Sequence, residues 1–316
     1  MGDVFEELFP DKRYENEGES VLRQSQFVML RILKIVNYIC EKHDIKYWLD
    51  GGTLLGAVRH EGFIPWDDDI DIGMTREDYI KFIAIAPKEL PADLFIECPE
   101  TAKKSVSTWA QIKDRKSFID QKGAEGCHPG MYVDIFPFDS FSTNFMKKNF
   151  YEKLHKHLFI KSFLVNAPFK KPYFKGSNLL KNIIRFILRL TIVFSIFTHK
   201  KIYKRSLKSR DKRICSIMKN PKTNYGYGTD ILNWNKEFSS EEIFPLKYLK
   251  FEGNEFPVPN KYNIILTKLY GENFMTPPPE HNRIPHNTLM KPIISEEDAE
   301  RINKGFDYVL KEKTLN

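Results

Sequence analysis

Four carboxylates lie within the five positions from Asp67 to Asp71, about a helix length after a glycine doublet and a hydroxyl, Gly51, Gly52 and Thr53. Carboxylates packed this closely repel one another, so a stable fold needs a cation to neutralise them. Hard oxygen ligands suit Mg²⁺ or Mn²⁺, and Mg²⁺ is usually bound by one or two carboxylates together with substrate phosphates. The stretch therefore predicts a metal-dependent phosphoryl-transfer site.

The acidic stretch alternates in the way that is typical of a β-strand. Asp69 and Asp71 fall on one face, and the isoleucines that follow each of them fall on the other. We therefore predict a strand over residues 67–72 that presents two acids side by side over a site while its isoleucines face the core. Asp67 and Asp68 are expected to shape the entry to this strand.

A third acid, Asp134, stands within the apolar run Met131–Phe136. A carboxylate in the middle of such a strand is costly unless a metal or a polar partner compensates it. We therefore predict that Asp134 completes the acidic site with Asp69 and Asp71, either as a metal ligand or as the base that accepts a hydroxyl proton. The alternative is that Asp134 is a buried hydrogen-bond acceptor.

The glycine doublet favours phosphate binding without matching a nucleotide fingerprint. Glycines let backbone N–H groups approach phosphate, and a helix N-terminus favours its negative charge, so Gly51, Gly52 and Thr53 are candidate phosphate contacts. The sequence contains no G-x-G-x-x-G and no Gly-Lys-Ser/Thr. A calcium loop fails as well, because Gly73 falls one place late and the twelfth position is Asp78 rather than glutamate.

The elements that position these residues predict an α+β domain with a mixed sheet and flanking helices. Apolar spacing predicts an amphipathic helix over residues 21–43, then a strand at 45–49, a short helix from 53 to 59 and a helix capped by Thr75. Further strands are predicted at Leu94–Cys98, Thr108–Lys113, Ser117–Asp120 and Met131–Phe136. Later helices are predicted at 261–270 and 295–311, with a turn at 225–228 between the two halves.

The net charge of +7 is unevenly spread, because residues 142–213 carry nineteen Lys and Arg against two acids. This contrast divides the chain into four predicted parts. They are a loose polar leader at 1–20, a catalytic core at 21–141, a basic helical insertion at 142–224 and a C-terminal part of the catalytic domain at 225–316.

The basic segment also predicts a surface contact. Within it, an apolar run at 183–197 adjoins a Lys/Arg cluster, which is typical of an interfacial helix on anionic lipid. A solvated helical hairpin is the alternative, and no helix-turn-helix, RRM or zinc-finger signature supports nucleic-acid binding. The N-terminus has no apolar signal region. The expected location is cytoplasmic, with peripheral contact to the inner face of the membrane through 183–213.

The run from Tyr47 to Gly73, YWLDGGTLLGAVRHEGFIPWDDDIDIG, closely resembles the LicD family, which includes phosphocholine transferases and has fukutin-related relatives. Two further stretches agree, MYVDIFPFD at 131–139 and FPLKYLKFEG…FPVPNKYNIILTKLYGENFMTPPP at 244–279. The resemblance implies a nucleotidyltransferase-like fold. It places the acidic motifs of the family at Asp69, Asp71 and Asp134.

The resemblance also implies a reaction, the transfer of phosphocholine from CDP-choline to a hydroxyl of a cell-surface glycan or of a teichoic-acid or lipopolysaccharide precursor, with release of CMP. Other CDP-alcohols (ribitol, glycerol or ethanolamine) and a nucleotidyltransferase reaction stay open. An inactive scaffold that binds lipid or nucleic acid is the alternative of another class, and the intact acid set argues against it. The expected cofactor is Mg²⁺ or Mn²⁺, and the expected partners are the CDP-alcohol and a glycan acceptor, lipid-linked where transfer occurs at the membrane.

Weaker candidates surround the acidic motifs. Arg59 and Lys113 are candidate charge partners of the diphosphate, with solvated positions as the alternative. Choline would require an aromatic face for its quaternary ammonium, and the candidates near the motifs are Trp48, Trp66, Trp109 and Tyr132. His281 and His286 are expected to be surface residues.

Overall fold

The computed structural model describes residues 2–16, 18–98, 109–120, 127–141, 224–228 and 236–304, together with the single residues Lys212 and Phe306. The chain divides into two units, Met1–Phe141 with Lys222–Asn316, and Ser142–Pro221, and the predicted acidic site belongs to the first. The four-part division of the chain stays a prediction, and the predicted membrane contact over 183–213 lies, apart from Lys212, outside the described residues. Among the helices that are described, none is both long and apolar enough to cross a bilayer.

In the described parts of the chain, the strands run in order as β1 Tyr47–Leu49, β2 Asp71–Thr75, β3 Leu94–Glu97, β4 Ala110–Asp114, β5 Phe118–Ile119, β6 Tyr132–Phe141, β7 Asn224–Tyr227, β8 Glu237–Ser239, β9 Lys247–Phe251, β10 Asn254–Val258 and β11 Met290–Lys291. The helices are α1 Gly2–Leu8, α2 Val21–Lys42, α3 Gly51–His60, α4 Arg76–Glu89, α5 Ser240–Ile243, α6 Tyr262–Tyr270 and α7 Glu296–Lys304. Two 3₁₀ turns join them, η1 Arg13–Asn16 and η2 Glu280–Asn282.

Seven of these strands form one mixed sheet, which confirms the predicted α+β class. Its order is β1-β2-β6-β4-β3, and β7 pairs with the far end of β6 and with β8. The pairing of β2 with β6 is parallel, and the other pairings in the sheet are antiparallel. The predicted turn at 225–228 is therefore wrong for most of its length, since these residues form β7 and lengthen the sheet.

The parallel pair β2–β6 lies at the centre of the sheet and carries two of the predicted acids. Asp71 stands opposite Asp134, and Ile72 stands opposite Ile135. Because successive side chains of a strand point to opposite faces, the two acids share one face, and both isoleucines are fully buried on the other. The predicted segregation of aspartate from isoleucine is confirmed for Asp71 and Ile72, the part of the stretch that lies in the strand.

The strand predicted over 67–72 begins later than expected, at Asp71. The preceding residues form a loop, because the Asp67 amide closes a turn by donating to the Ile64 carbonyl at 2.9 Å. The ladder with β6 is reached only where the Asp134 amide donates to the Ile70 carbonyl at 2.8 Å. Asp67 and Asp69 are therefore loop residues whose positions depend on turn geometry.

Two capped helices, α2 and α4, pack against this sheet. The first begins at the Ser20 cap, whose hydroxyl accepts from the Arg23 amide, and it buries an apolar face as its spacing predicts. The second begins at Thr75, whose hydroxyl accepts from the Asp78 amide, so the predicted cap is confirmed. A bidentate pair between Arg76 and Asp139 then fixes the start of α4 to β6.

The N-terminal residues fold, although a loose polar leader was expected over 1–20. They form α1 and η1, and Phe5 is buried in the core. Arg13 donates from both terminal nitrogens to the Asp114 carboxylate, at 2.7 and 3.1 Å, and both side chains are buried. A bidentate, buried ion pair fixes orientation as well as contact, so this one arginine anchors the segment to the end of β4.

The C-terminal part of the described chain returns to the acidic end of the sheet. Helix α6 ends at Gly271, whose φ of +89° few other residues adopt. From there, residues 272–289, which we call the strap, run through η2 to β11, and β11 pairs with β5. The strap therefore brings residues that are distant in sequence into contact with the acidic loop.

Candidate active site

Asp71 and Asp134 form the floor of a cluster of carboxylates. Their strands place them opposite each other, and the side chains are 9% and 6% exposed. Asp69 lies beside them in the loop, and its side chain is 22% exposed. The structure thus brings together the three acids that the sequence predicts as one site.

Two neighbours on and beside β4 hold the Asp134 carboxylate in place. The Trp109 indole donates to Oδ1 at 2.6 Å, and the Gln111 amide donates to the same oxygen at 2.7 Å. Since both donors use Oδ1, neither occupies Oδ2. The carboxylate is therefore fixed through Oδ1, and no hydrogen bond from the described residues occupies Oδ2.

The glycine doublet is explained by the carboxylates it faces. A Cβ on Gly51 would lie 2.8 Å from Oδ2 of Asp71, and a Cβ on Gly52 would lie 2.7 Å from Oδ2 of Asp67. Gly51 also has a left-handed φ of +52°. Each glycine therefore leaves room for a carboxylate oxygen at the start of α3. The glycines predicted to contact phosphate lie directly beside the acids.

Replacing Gly52 with alanine tests this close approach. The added methyl must displace the Asp67 carboxylate, the end of a side chain, rather than any backbone atom. Alanine is preferred over glycine in helices by roughly 1 kcal/mol, so the fold should be retained. We expect a folded protein with reduced turnover and weaker divalent-cation affinity, measured by calorimetric titration and by thermal unfolding. Unchanged cation affinity would contradict a role for Asp67 in the site.

Three acids of the cluster, Asp67, Asp71 and Asp134, resist ionisation because they are buried together. Burial, followed by the charge of Asp69, raises the pKa of Asp67 to about 8. Burial raises the pKa of Asp134 to about 7, although its two hydrogen bonds act in the opposite direction. Burial, followed by the charges of Asp69 and Asp134, raises the pKa of Asp71 as well. Without a cation, these acids destabilise one another at neutral pH.

A fifth acid, Asp50, lies behind the others. It precedes Gly51, and its carboxylate accepts from the Tyr227 hydroxyl at 2.7 Å. Its amide donates to the Asp71 carbonyl at 3.0 Å, which ties the start of α3 to β2. Burial raises the pKa of Asp50 to about 6, and its charge adds to the repulsion that Asp71 meets.

This set of donors fits a divalent cation. The oxygens of Asp67 and Asp69 and a nitrogen of His286 lie within 4.8 Å of one another, and Asp71 and Asp134 stand next to them. Buried carboxylates with raised pKa values are the groups whose charge a bound cation would compensate. The residues present are therefore those that Mg²⁺ or Mn²⁺ would require.

Asp68 turns away from the cluster and binds the strap. Its carboxylate accepts from the His286 amide at 3.0 Å and from the Asn287 amide and side chain at 2.7 and 2.9 Å. Although burial acts in the opposite direction, the His286 ring, followed by these bonds, holds the pKa of Asp68 below its usual value. Asp68 therefore shapes the loop, as expected, and it does so through residues more than 200 positions away.

Lys113 does not reach the open side of the cluster. Its side chain is 0% exposed, and its ammonium lies 2.5 Å from the His128 carbonyl and 3.4 Å from the Glu97 carboxylate. Thr53 is also engaged, because its hydroxyl accepts from the Asp71 amide at 2.9 Å. Both residues support the acids from within the fold.

Arg59 and Trp66 line the edge of the cluster. Arg59 is half-buried, donates to the Phe274 carbonyl of the strap at 2.9 Å and experiences the charge of Asp67. Trp66 is half-buried, and the Arg283 guanidinium lies 5.3 Å from its ring centre. A cation of the protein itself thus occupies an aromatic face that was predicted for choline.

The other aromatic candidates are fixed within the protein. Trp48 and Tyr132 are buried core residues, and Trp109 is half-buried and bound to Asp134. Among the histidines, His286 is exposed as expected, but it also contacts Asp68 and Asp69.

Several site residues were missed from sequence. Asp67 shares the two-residue spacing of Asp69 and Asp71, and this spacing was a signal that Asp67 belongs to the acidic site. It was passed over because Asp67 was expected only to shape the entry to the strand. Gln111 stands two positions after a tryptophan candidate in a predicted strand, and only the strand register places it beside Asp134. For His286 the sequence offers no signal, since it lies in a turn-rich segment.

The mixed sheet, the glycine-led helix and the acidic cluster define a nucleotidyltransferase-like domain. Residues 44–180 match the family model described as LicD/FKTN/FKRP, nucleotidyltransferase domain. The chain is 32% identical over 271 residues to the lipopolysaccharide cholinephosphotransferase LicD of Haemophilus influenzae, which covers 84% of this chain and 96% of that protein. The chain therefore belongs to the LicD family.

A second relative matches over a shorter region. The ribitol 5-phosphate transferase FKRP of Mus musculus is 52% identical over 108 residues, which is 32% of this chain and 18% of that protein. Both named relatives are transferases of a phospho-alcohol. Together they support a phospho-alcohol transferase and leave the alcohol open.

Proposed function

We propose that this protein transfers phosphocholine from CDP-choline to a hydroxyl of a cell-surface glycan or of a teichoic-acid or lipopolysaccharide precursor, and that it releases CMP. The observation that carries the proposal is the cluster of Asp67, Asp69, Asp71 and Asp134, all buried except Asp69, at the start of a glycine-led helix. Such a cluster suits a metal-bound diphosphate. The similarity to a cholinephosphotransferase along nearly the whole length of that enzyme supports choline as the alcohol.

Asp67, Asp69 and Asp71 would hold the divalent cation, Mg²⁺ or Mn²⁺, with Asp134 next to them. When bound, it would neutralise charge on the phosphate oxygens of donor and leaving group. The Gly52 amide, at the start of α3, is proposed to face the diphosphate, whereas the Gly51 amide donates to the Asp50 carboxylate. Arg59, at the edge of the cluster, is proposed as a further positive charge toward it.

Asp134 is proposed to accept the proton of the attacking hydroxyl. A cation bound to the neighbouring acids would favour the ionised form of Asp134, which is the form that accepts a proton. The hydroxyl oxygen forms a bond to the phosphorus that carries the alcohol, and the bond from that phosphorus to CMP breaks. Trp109 and Gln111 restrict the carboxylate, so Oδ2 faces the hydroxyl while Oδ1 stays bound.

Ribitol phosphate is the second candidate for the transferred group, because FKRP, a named relative, is a ribitol 5-phosphate transferase. A membrane-linked acceptor would agree with the basic segment 183–213, and peripheral attachment on the cytoplasmic side stays a proposal that rests on sequence alone. Comparing alcohol donors directly separates these possibilities.

The assay is release of CMP from a panel of CDP-choline, CDP-ribitol, CDP-glycerol and CDP-ethanolamine, with Mg²⁺ and a glycan acceptor. We expect CDP-choline to be the best donor and to raise the melting temperature most, because a ligand that binds only the folded state stabilises it. A preference for CDP-ribitol would show that ribitol, rather than choline, is the transferred alcohol. Release of pyrophosphate from a nucleoside triphosphate, with nucleotide left on the product, would replace the reaction class.

A further inference from the structure

The exposed imidazole of His286 stands at the mouth of the acidic cluster. Its side chain is 72% exposed, and Nδ1 lies 3.3 Å from Oδ1 of Asp68 and 3.6 Å from Oδ2 of Asp69. A nitrogen of this ring and single oxygens of Asp67 and Asp69 all lie within 4.8 Å of one another. A nitrogen donor therefore shares the space of the acids.

The backbone that carries His286 is held independently of its ring. The fully buried Asp68 carboxylate accepts from the amides of His286 and Asn287 and from the Asn287 side chain. A buried carboxylate with three N–H donors is a strong, charge-assisted anchor. A buried acid thus fixes this part of the strap beside Asp69, while the exposed ring, which contacts Asp68 and Asp69 through Nδ1, is not packed into the core.

The spacing of these donors suits a shared ion. Two ligands that each lie about 2.1 Å from one ion are at most about 4.2 Å apart. The separation of up to 4.8 Å therefore requires a contraction of about half an ångström, within reach of small side-chain rotations. Neither the ring of His286 nor the partly exposed Asp69 is confined by the core.

We propose that His286 is a nitrogen ligand of the catalytic divalent cation, and that this donor gives the centre a preference for Mn²⁺ over Mg²⁺. The inference rests on the proposed function in one respect, the presence of a cation among the aspartates. Imidazole suits first-row transition ions, whereas Mg²⁺ takes oxygen donors almost exclusively. A site made of aspartates alone lacks this donor, so its preference for Mn²⁺ should be smaller.

Pulsed electron paramagnetic resonance of Mn²⁺ bound to the full chain tests the ligand directly. A coordinated imidazole gives nitrogen-14 modulation of the echo, whatever the activity of the enzyme. We expect this modulation in the wild type and its loss in His286→Ala. The matched control is His281→Ala, an exposed histidine of the same strap outside the cluster, which should keep the modulation.

Cation affinity provides a second readout. We expect His286→Ala to bind Mn²⁺ at least about tenfold more weakly, while its Mg²⁺ affinity changes much less. Thermal unfolding of the variants without cation checks that the fold persists, as an exposed ring should allow.

Two results would overturn the proposal, and they are distinguishable. If the wild type binds Mn²⁺ without nitrogen modulation, or if His286→Ala keeps it, then His286 is only a counter-ion of the acids and the proposed function stands. If neither Mn²⁺ nor Mg²⁺ binds to the wild type, the result contradicts both the role of His286 as a ligand and the metal dependence of the proposed function.

Discussion

Asp71→Asn is expected to abolish turnover and at the same time to stabilise the protein measured without divalent cation. Asp71 stands at the centre of the cluster, opposite Asp134 and in contact range of the start of α3. A bound cation contributes several kcal/mol to stabilising transition-state charge, and an amide in place of this carboxylate would weaken its binding. The expected loss in CMP release is about three orders of magnitude or more.

The stability gain follows from the charges that Asp71 meets. Burial, followed by the charges of Asp69 and Asp134, raises its pKa, so its ionised form destabilises the native state at neutral pH. Asparagine has nearly the same shape and carries no charge. We expect the melting temperature in EDTA to rise by a few degrees, since about 1 kcal/mol shifts it by roughly 2–4 °C in a domain of this size.

Asp139→Asn is the matched control for the expected gain in stability of Asp71→Asn. Asp139 is buried on the same strand as Asp134, but it is paired in two hydrogen bonds with Arg76. Removing its charge takes a charged, hydrogen-bonded partner from the buried Arg76 guanidinium, so this variant should be less stable. If both substitutions lower the melting temperature in EDTA, the carboxylates at 71 and 134 are not in mutual repulsion.

The parts of the site that could be predicted are those that depend on local pattern. Alternation separates Asp69 and Asp71 from the isoleucines, and an acid within an apolar run identifies Asp134, because each signal lies within a few residues. The parallel pairing that places Asp71 opposite Asp134 agrees with the prediction of one shared site. The helices α2 and α4 were predicted for the same reason, since apolar spacing and caps are local.

The parts that could not be predicted depend on contacts between distant segments. Nothing near Arg13 indicates that it pairs with Asp114, so an acidic and polar leader appeared loose. Lys113 has the charge expected of a phosphate contact, but its burial beside Glu97 is decided by the packing of three strands. His286 reaches the acids only because Asp68 binds the strap 218 residues away.

The stabilisation that a divalent cation gives is expected to be larger at pH 8 than at pH 6. In the metal-free protein, the folded-state pKa is about 8 for Asp67 and about 7 for Asp134, above the value near 3.9 of an unfolded chain. Between pH 4 and these values the unfolded state binds fewer protons than the native state, so native stability falls as the pH rises. The loss is about 1.4 kcal/mol per pH unit for each group that still holds its proton.

A bound cation takes the place of these protons, so the stabilisation that the cation gives should increase as the pH rises. At pH 6 the cation must displace protons from both acids, whereas at pH 8 most of that cost is gone and the repulsion it relieves is greatest. The measurement is the shift in melting temperature on adding Mg²⁺ at each pH. Asp134→Asn, which removes one of the titrating groups, should reduce the difference between the two shifts. Equal shifts at pH 6 and pH 8 in the wild type would mean that the cation binds away from Asp67 and Asp134.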